Sequence, residues 1–208
     1  EFVEFIQNTD SVGVKLSISS PDKDEGYPGN LKIELQLLLG DDNKLTIQTR
    51  AICDQDTILS LTNHNYWNFN GHGNKHSDIS NHVLHIPSNL ICENDTQSLP
   101  TGNFIDISNS SFDFSSPRDL GTRLLSQGGI DCNYCFHDID DCFSTAEVFS
   151  PTTGLGVSIK SDLPGLQCYT GDQMKTNYKT PARLLSAGIS NAKTKKNELK
   201  TFILYLAP

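Results

Sequence analysis

The sequence predicts an all-β protein built as an antiparallel β-sandwich. Three observations carry the prediction. Apolar residues recur at every second position over long stretches. The segments between them are rich in Asn, Asp, Ser, Gly and Pro, the residues of turns. Only one stretch of the chain reads as helical. Many short strands joined by turns point to two packed sheets rather than to strands alternating with helices.

Taken in order, Val12, Val14, Leu16 and Ile18 alternate with polar or small residues. Leu31, Ile33, Leu35, Leu37 and Leu39 do the same against Lys32, Glu34 and Gln36, and Leu45, Ile47, Thr49 and Ala51 continue the pattern. Alternation sends successive side chains to opposite faces of a sheet, so these read as half-buried strands. Gly40-Asp41-Asp42-Asn43-Lys44 between the second and third has the composition of a hairpin loop. Further strands are predicted at 58–61, 82–86, 104–107, 146–149, 155–159, 167–169 and 201–206. The helical reading falls on Pro117 to Ser126, where Pro117 suits a first turn. No repeat or linker interrupts the chain, and a single domain over residues 1–208 is expected.

The chain has 208 residues, 36% hydrophobic and 20% charged, which suits a globular domain with its own core. No apolar run approaches the ~20 residues that span a membrane. The net charge of -9 and pI near 5.0 repel phosphate backbones, so nucleic acid is not an expected partner. The chain starts at Glu1 and its only methionine is Met174, which reads as a piece of a longer chain or a processed one. Six cysteines permit disulfides but a core of this size does not need them, so free thiols in a reducing, cytoplasmic setting are expected.

Four segments are candidates for chemistry. Leu61-Thr62-Asn63-His64-Asn65-Tyr66-Trp67-Asn68-Phe69 interleaves amides and an imidazole with aromatic rings. Rings cover the C–H faces of a sugar and polar groups bond its hydroxyls. From spacing alone, a strand end with a buried, hydrogen-bonded histidine is the better account. His72, His76, His82 and His85 follow, but Asn70-Gly71-His72-Gly73-Asn74 is loop composition and a metal site is not expected. Asp131-Cys132-Asn133-Tyr134-Cys135-Phe136-His137 holds a Cys-x-x-Cys, with Cys142 beyond it. A structural zinc site needs a second paired motif, so two strand cysteines are the simpler reading. Pro164-Gly165-Leu166-Gln167-Cys168-Tyr169-Thr170-Gly171 is a turn feeding a short strand, with Gln167 able to donate and accept.

These segments, in this order, resemble the aldose 1-epimerase family. Ser20-Pro21-Asp22-Lys23-Asp24-Glu25-Gly26-Tyr27-Pro28-Gly29 is similar to the family's SPDGEEGYPG loop, and Leu61 to Asn68 to its LTNHSYFNL. Gly129-Ile130-Asp131-Cys132-Asn133-Tyr134 resembles G-[FY]-D-H-N-F, and Pro164 to Gly171 resembles PG-x-QFYTG. Leu99-Pro100-Thr101-Gly102 and Phe112-Asp113-Phe114 resemble IPTG and FDLR.

The resemblance implies the large antiparallel supersandwich of galactose mutarotases, which binds a hexose in an open groove. It implies interconversion of α and β anomers with no cofactor and no metal. An acid protonates the ring oxygen, a base removes the C1 hydroxyl proton, and the ring opens, rotates and recloses. On this pattern His64 is the acid. Asn65, Tyr66, Asp131 and Gln167 are substrate-binding positions, with Asn65 in place of the usual Ser and Cys132 in place of the usual His. The family's Arg and His-Gly-Gly segment would precede residue 1, and no stretch resembles the GFCLETQ strand that carries its base. Glu198 is not in such a motif. The resemblance therefore implies a poor mutarotase for the chain as written, with a non-catalytic carbohydrate-binding role as the alternative. It leaves the preferred hexose and the oligomeric state open.

Overall fold

The computed structural model describes residues 1–71, 78–121, 126–136, 144–171 and 202–207, of which 144, 145 and 202–207 are described by backbone alone. The chain divides into two compact units, Glu1–Leu61 and Thr62–Pro208.

The first unit is a four-stranded antiparallel meander in the order β1-β2-β3-β4, with β1 Phe2–Gln7, β2 Ser11–Ser20, β3 Leu31–Gly40 and β4 Leu45–Cys53. The β3–β4 hairpin closes as its composition predicts. Asn43 takes a left-handed φ of 63°, and the Gly40 N–H reaches the Lys44 carbonyl at 3.0 Å. The Asp42 carboxylate accepts the Lys44 N–H at 3.0 Å. Between β2 and β3 lies the loop similar to SPDGEEGYPG, held by a net of carboxylate bonds. Asp22 accepts the Gly29 N–H at 2.7 Å, and Asp54 accepts both the N–H and the side-chain amide of Asn30 at 2.7 Å. These bonds hold the Asp54 carboxyl below its usual range, the Asn30 side chain contributing most. Across β2 and β3, Lys15 and Lys32 flank Glu34 at 3.6 and 3.0 Å.

The middle of β2, residues 13–17, is half-buried at every position, so burial there does not follow the period-two alternation of the sequence. Val12, Ile18, Leu39, Leu45 and Ile52, towards the strand ends, are exposed.

Among its described residues the second unit carries ten strands: β5 Tyr66–Trp67, β6 Val83–His85, β7 Leu90–Asn94, β8 Pro100–Asp106, β9 Arg118–Asp119, β10 Asp131–Cys135, β11 Ser144–Phe149, β12 Gly156–Ser161, β13 Gly165–Tyr169 and β14 Phe202–Ala207. One sheet has the order β5-β14-β13-β10-β7-β8 and the other β12-β11-β6-β9, and every pairing is antiparallel. Ile91, Tyr134, Leu166 and Cys168 of the first sheet and Leu84, Ala146 and Val148 of the second share one buried cluster with Ile79, Ile86, Ile107, Phe114, Leu120 and Ile130. That common core makes the unit a sandwich, the architecture expected from the period-two pattern. Burying one such aliphatic side chain contributes roughly 1.5–3 kcal/mol. The Tyr134 hydroxyl, fully buried, donates to the Phe112 carbonyl at 2.8 Å, so its polar tip carries no desolvation penalty.

Two expectations are corrected. Residues 58–61 form no ladder; Ile58 and Leu59 are exposed there. The helix expected over Pro117–Ser126 begins instead as strand β9, pairing with Val83 and Leu84 of β6. The Leu120 N–H bonds the His82 carbonyl at 2.9 Å, and Arg118 reaches the Asp113 carbonyl at 3.1 Å. Those partners draw the backbone alongside β6, where a helical turn would leave them unpaired. Gly121 and residues 126–127 are helical, and 122–125 lie outside the described residues. The strands β1, β5, β7 and β9 were not among the sequence expectations, whereas β10 carries Cys132 and Cys135 as the two strand cysteines expected.

Candidate active site

The six-stranded sheet has two chemically different faces, and register assigns each residue to one of them. Residues directly opposite on neighbouring strands point to the same side, and neighbours along a strand to opposite sides. Asp131 pairs with Tyr169, Tyr169 with Ile203, and Ile203 with Tyr66. One row therefore crosses four strands, β10-β13-β14-β5. A second row joins Asn133 to Gln167 and Gln167 to Tyr205. Asp131, Asn133, Gln167, Tyr169 and Tyr66 thus share one face. The residues between them, Cys132, Tyr134, Leu166, Cys168 and Trp67, point into the core or pack against it.

Local structure explains why each functional side chain sits where it does. Gly128 and Gly129, at φ 73° and 111°, make the turn that leads into β10. Thr170 clamps the start of that strand: its hydroxyl accepts the Ile130 N–H at 2.8 Å and its own N–H reaches the Ile130 carbonyl at 2.9 Å. The clamp is buried and fixes Asp131, the next residue, opposite Tyr169. Gln167 then donates its side-chain amide to an Asp131 carboxylate oxygen at 2.7 Å. A charge-assisted bond of this kind orients both groups. The second Asp131 oxygen, the Gln167 carbonyl oxygen and the second amide hydrogen are suited to meet hydroxyls.

His64 lies just before β5 and is exposed, with its ring 5.3 Å from that of Tyr66. The strand-end reading with a buried histidine does not describe it; among the described residues the buried histidine is His82. Asn65 is half-buried and Tyr66 is 49% exposed. At ~4.8 Å between strands, Tyr66 and Asp131 stand roughly 14 Å apart on the face. The His64–Tyr66 pair therefore borders one side of this face and Asp131–Gln167 the other, with Tyr169 between.

The 61–71 segment is buttressed from the core side. Trp67 and Phe69 stack at 5.7 Å, and the Phe69 ring lies 5.9 Å from that of His82. His82 Nε2 accepts the Phe69 N–H at 3.0 Å. Its Nδ1 has no hydrogen-bond partner among the described residues, and burial pushes its pKa down to about 4. Asn70, also buried, bonds the Asp78 carbonyl at 2.6 Å, the Asn81 side chain at 2.7 Å and Ser150. Thr153 closes the net on the Phe69 carbonyl at 2.8 Å.

The Cys-x-x-Cys of 132–135 is split by the strand. Cys132 packs against the core, whereas Cys135 lies on the face of Asp131 and Asn133, with its Sγ 3.3 Å from the Cys92 Sγ of β7. Two ligands on opposite faces of one strand cannot close on one ion. Among the described residues there is no cluster of three or more His, Cys, Asp or Glu side chains arranged to hold a metal. His72, His76, His137 and Cys142 lie outside the described residues.

Asn133 and Tyr169 were not singled out from the sequence. The signal was available: each stands two residues from a chosen position, Asp131 or Gln167, on what proves to be the same strand.

The family described as aldose 1-epimerase matches residues 3–192. A galactose mutarotase from Rattus norvegicus is 35% identical over 164 residues, 78% of this chain and 47% of that protein. An aldose 1-epimerase from Escherichia coli is 30% identical over 174 residues, 80% of this chain and 49% of that protein. The chain thus spans about half the length of the curated relatives it matches. Among solved structures, a GalM/aldose epimerase homologue from C. elegans superposes with a TM-score of 0.71 at 23% identity, covering 98% of this chain and 58% of that one. A galactose 1-epimerase from Lactobacillus acidophilus gives 0.70 at 22%, covering 82% and 50%. At those identities the structural likeness is one of fold. Motifs in family order, an all-antiparallel sandwich and a family match over residues 3–192 lead to one assignment: the chain belongs to the aldose 1-epimerase family.

Proposed function

We propose that this chain carries the hexose-binding face and the general acid of an aldose 1-epimerase, which interconverts sugar anomers in the cytoplasm. The observation that supports the reading is the register row Tyr66–Ile203–Tyr169–Asp131, with Gln167 bonded to Asp131 at 2.7 Å and His64 beside Tyr66. Of the sequence-chosen positions, Tyr66, Asp131 and Gln167 share one face of the sheet by register, and His64 lies beside Tyr66. Asp131 and Gln167 bind hydroxyls, Tyr66 and Tyr169 offer ring faces to C–H groups, and Asn65 supports the first side. His64 donates its proton to the ring oxygen as the C1–O5 bond breaks, solvent water takes the C1 hydroxyl proton, and both transfers reverse on reclosure. A positioned acid of this type contributes ~10²–10⁴-fold. No segment of the sequence matches the strand that carries the family's base, so this chain alone accelerates the reaction less than an acid–base pair would.

Two NMR measurements test the reading. Saturation transfer from the chain to D-galactose is expected, and it is lost in Asp131→Ala. Exchange between the α and β anomers is expected above the buffer rate and falls back to it in His64→Ala. Saturation transfer unchanged by Asp131→Ala defeats the binding face. Exchange that survives His64→Ala defeats the acid.

A further inference from the structure

We propose that Cys92 and Cys135 form a reversible cross-strand disulfide, a thiol-modification site on the same sheet face as Asp131 and Gln167, made by exchange with low-molecular-weight disulfides. The site does not depend on the sugar reading.

The two cysteines lie on neighbouring antiparallel strands. The register sets Tyr134 opposite Ile91 and Cys135 opposite Leu90. Cys92 therefore lies diagonal to Cys135 on the same face, with Asn133 across from it. The sulfurs are 3.3 Å apart, and each also lies near the Asn133 side-chain oxygen, at 3.8 and 4.0 Å. A disulfide requires ~2.05 Å, so the pair must close by about 1.2 Å. Both residues are partly accessible, so a small disulfide can reach them. The other thiols on β10 and β13 face away: Cys168 is fully buried and Cys132 packs against the core.

The chemistry balances without any further oxidant. The Cys92 sulfur attacks one sulfur of the small disulfide, RS–SR, giving Cys92–S–SR and releasing RSH. The Cys135 sulfur then attacks the Cys92 sulfur. The Cys92–Cys135 bond forms, the mixed disulfide breaks, and the second RSH leaves with the Cys135 proton. Two protein thiols are oxidised and one small disulfide is reduced to two thiols. Burial first, and then the bond to Cys92, push the Cys135 thiol up to about 12. Cys135 is therefore held protonated, the first attack falls to Cys92, and the resolving step is slow at neutral pH. A closed bond ties β7 to β10 at Asn133, directly beside the polar face.

The test uses the reduced chain and oxidised glutathione as the probe, followed by alkylation, proteolysis and tandem mass spectrometry. The expected product is a crosslink of the Cys92 and Cys135 peptides. It forms faster at alkaline pH, is reversed by dithiothreitol and is absent in Cys92→Ser. The same treatment in urea, where the strands are apart, should scatter crosslinks over all six cysteines. Stable glutathione adducts on Cys92 with no crosslink overturn the proposal, as does native crosslinking of Cys135 to any other cysteine. A Cys92–Cys135 yield no higher in the native chain than in urea does the same.

Discussion

Gln167 and Asp131 touch across neighbouring strands of one sheet, amide to carboxylate, at 2.7 Å. They are 36 residues apart in sequence and stand one diagonal step apart in the ladder. The bond fixes the Gln167 amide so that its nitrogen faces the carboxylate and its oxygen turns elsewhere. Each residue's affinity for a ligand therefore depends on the other.

A double-mutant cycle measures this dependence. Asp131→Ala and Gln167→Ala are each expected to weaken galactose binding, and the double variant to lose less than the sum. The expected coupling is about 1 kcal/mol, within the range for residues in direct contact. Calorimetric or NMR titration of the four proteins gives the value. Strict additivity would show that the pair does not act as a unit.

His82 gives the second unit a pH dependence. Its pKa falls from 6.5 to about 4 because burial disfavours the charged ring. In the unfolded chain it takes up a proton as pH drops through about 6.5, while the folded protein resists protonation until about 4. Its contribution is complete above 6.5, is lost across that window, and stays lost below it. The full loss is on the order of 3 kcal/mol. His82→Gln should flatten this part of the stability–pH curve, since a glutamine oxygen can accept the Phe69 N–H without titrating. An unchanged slope between pH 6.5 and 4 in His82→Gln would assign it to other groups.

Gly29 sits at φ 88° in the β2–β3 loop, and a Cβ there would meet the Cys53 sulfur at 2.4 Å. Gly29→Ala is expected to destabilise the first unit by roughly 1–3 kcal/mol, the cost of a left-handed non-glycine residue with a steric overlap added. Amide exchange resolves the two units separately, so faster exchange across β2–β4 with β10–β13 unchanged is the expected pattern. A uniform change in both units would contradict it.

Tyr134→Phe removes a fully buried hydroxyl that donates to the Phe112 carbonyl. The expected loss is about 1–2 kcal/mol, seen as a lower Tm. Galactose binding should be unaffected, because Tyr134 points away from the face of Asp131 and Asn133. Weaker binding at unchanged Tm would invert the assignment of faces.

How much was legible in the sequence depends on the length of the period. β2, β3 and β4 each run nine or ten residues, so alternation has room to declare itself. β5 and β9 have two residues each, and two residues have no period. β9 was hidden further by Pro117, which opens a helix as readily as it precedes an edge strand. β10 was legible only through its cysteines, read as strand residues, because Asp131-Cys132-Asn133-Tyr134-Cys135 alternates polar residues with a cysteine and a tyrosine rather than with aliphatics. Of the site, His64, Asp131 and Gln167 were named from motifs, and Asn133 was passed over. Proximity between Cys92 and Cys135 could not be read at all, since it arises from the β7–β10 register across 43 residues.

Side chains that bind and side chains that fold alternate along the same two strands, β10 and β13, and this separates the evolution of the two. A change at 131, 133, 167 or 169 alters what the surface recognises while leaving Tyr134, Leu166 and Cys168 in their packing. Ligand preference in such a sheet can drift by point substitution at little cost to the scaffold. Loss or gain of a single residue within β10 is another matter. It would bring Asp131 and Tyr134 to the same side of the sheet, so that either the recognition face or the core is lost. Lineages carrying this sheet are therefore expected to diversify by substitution and to tolerate insertions only in the turns.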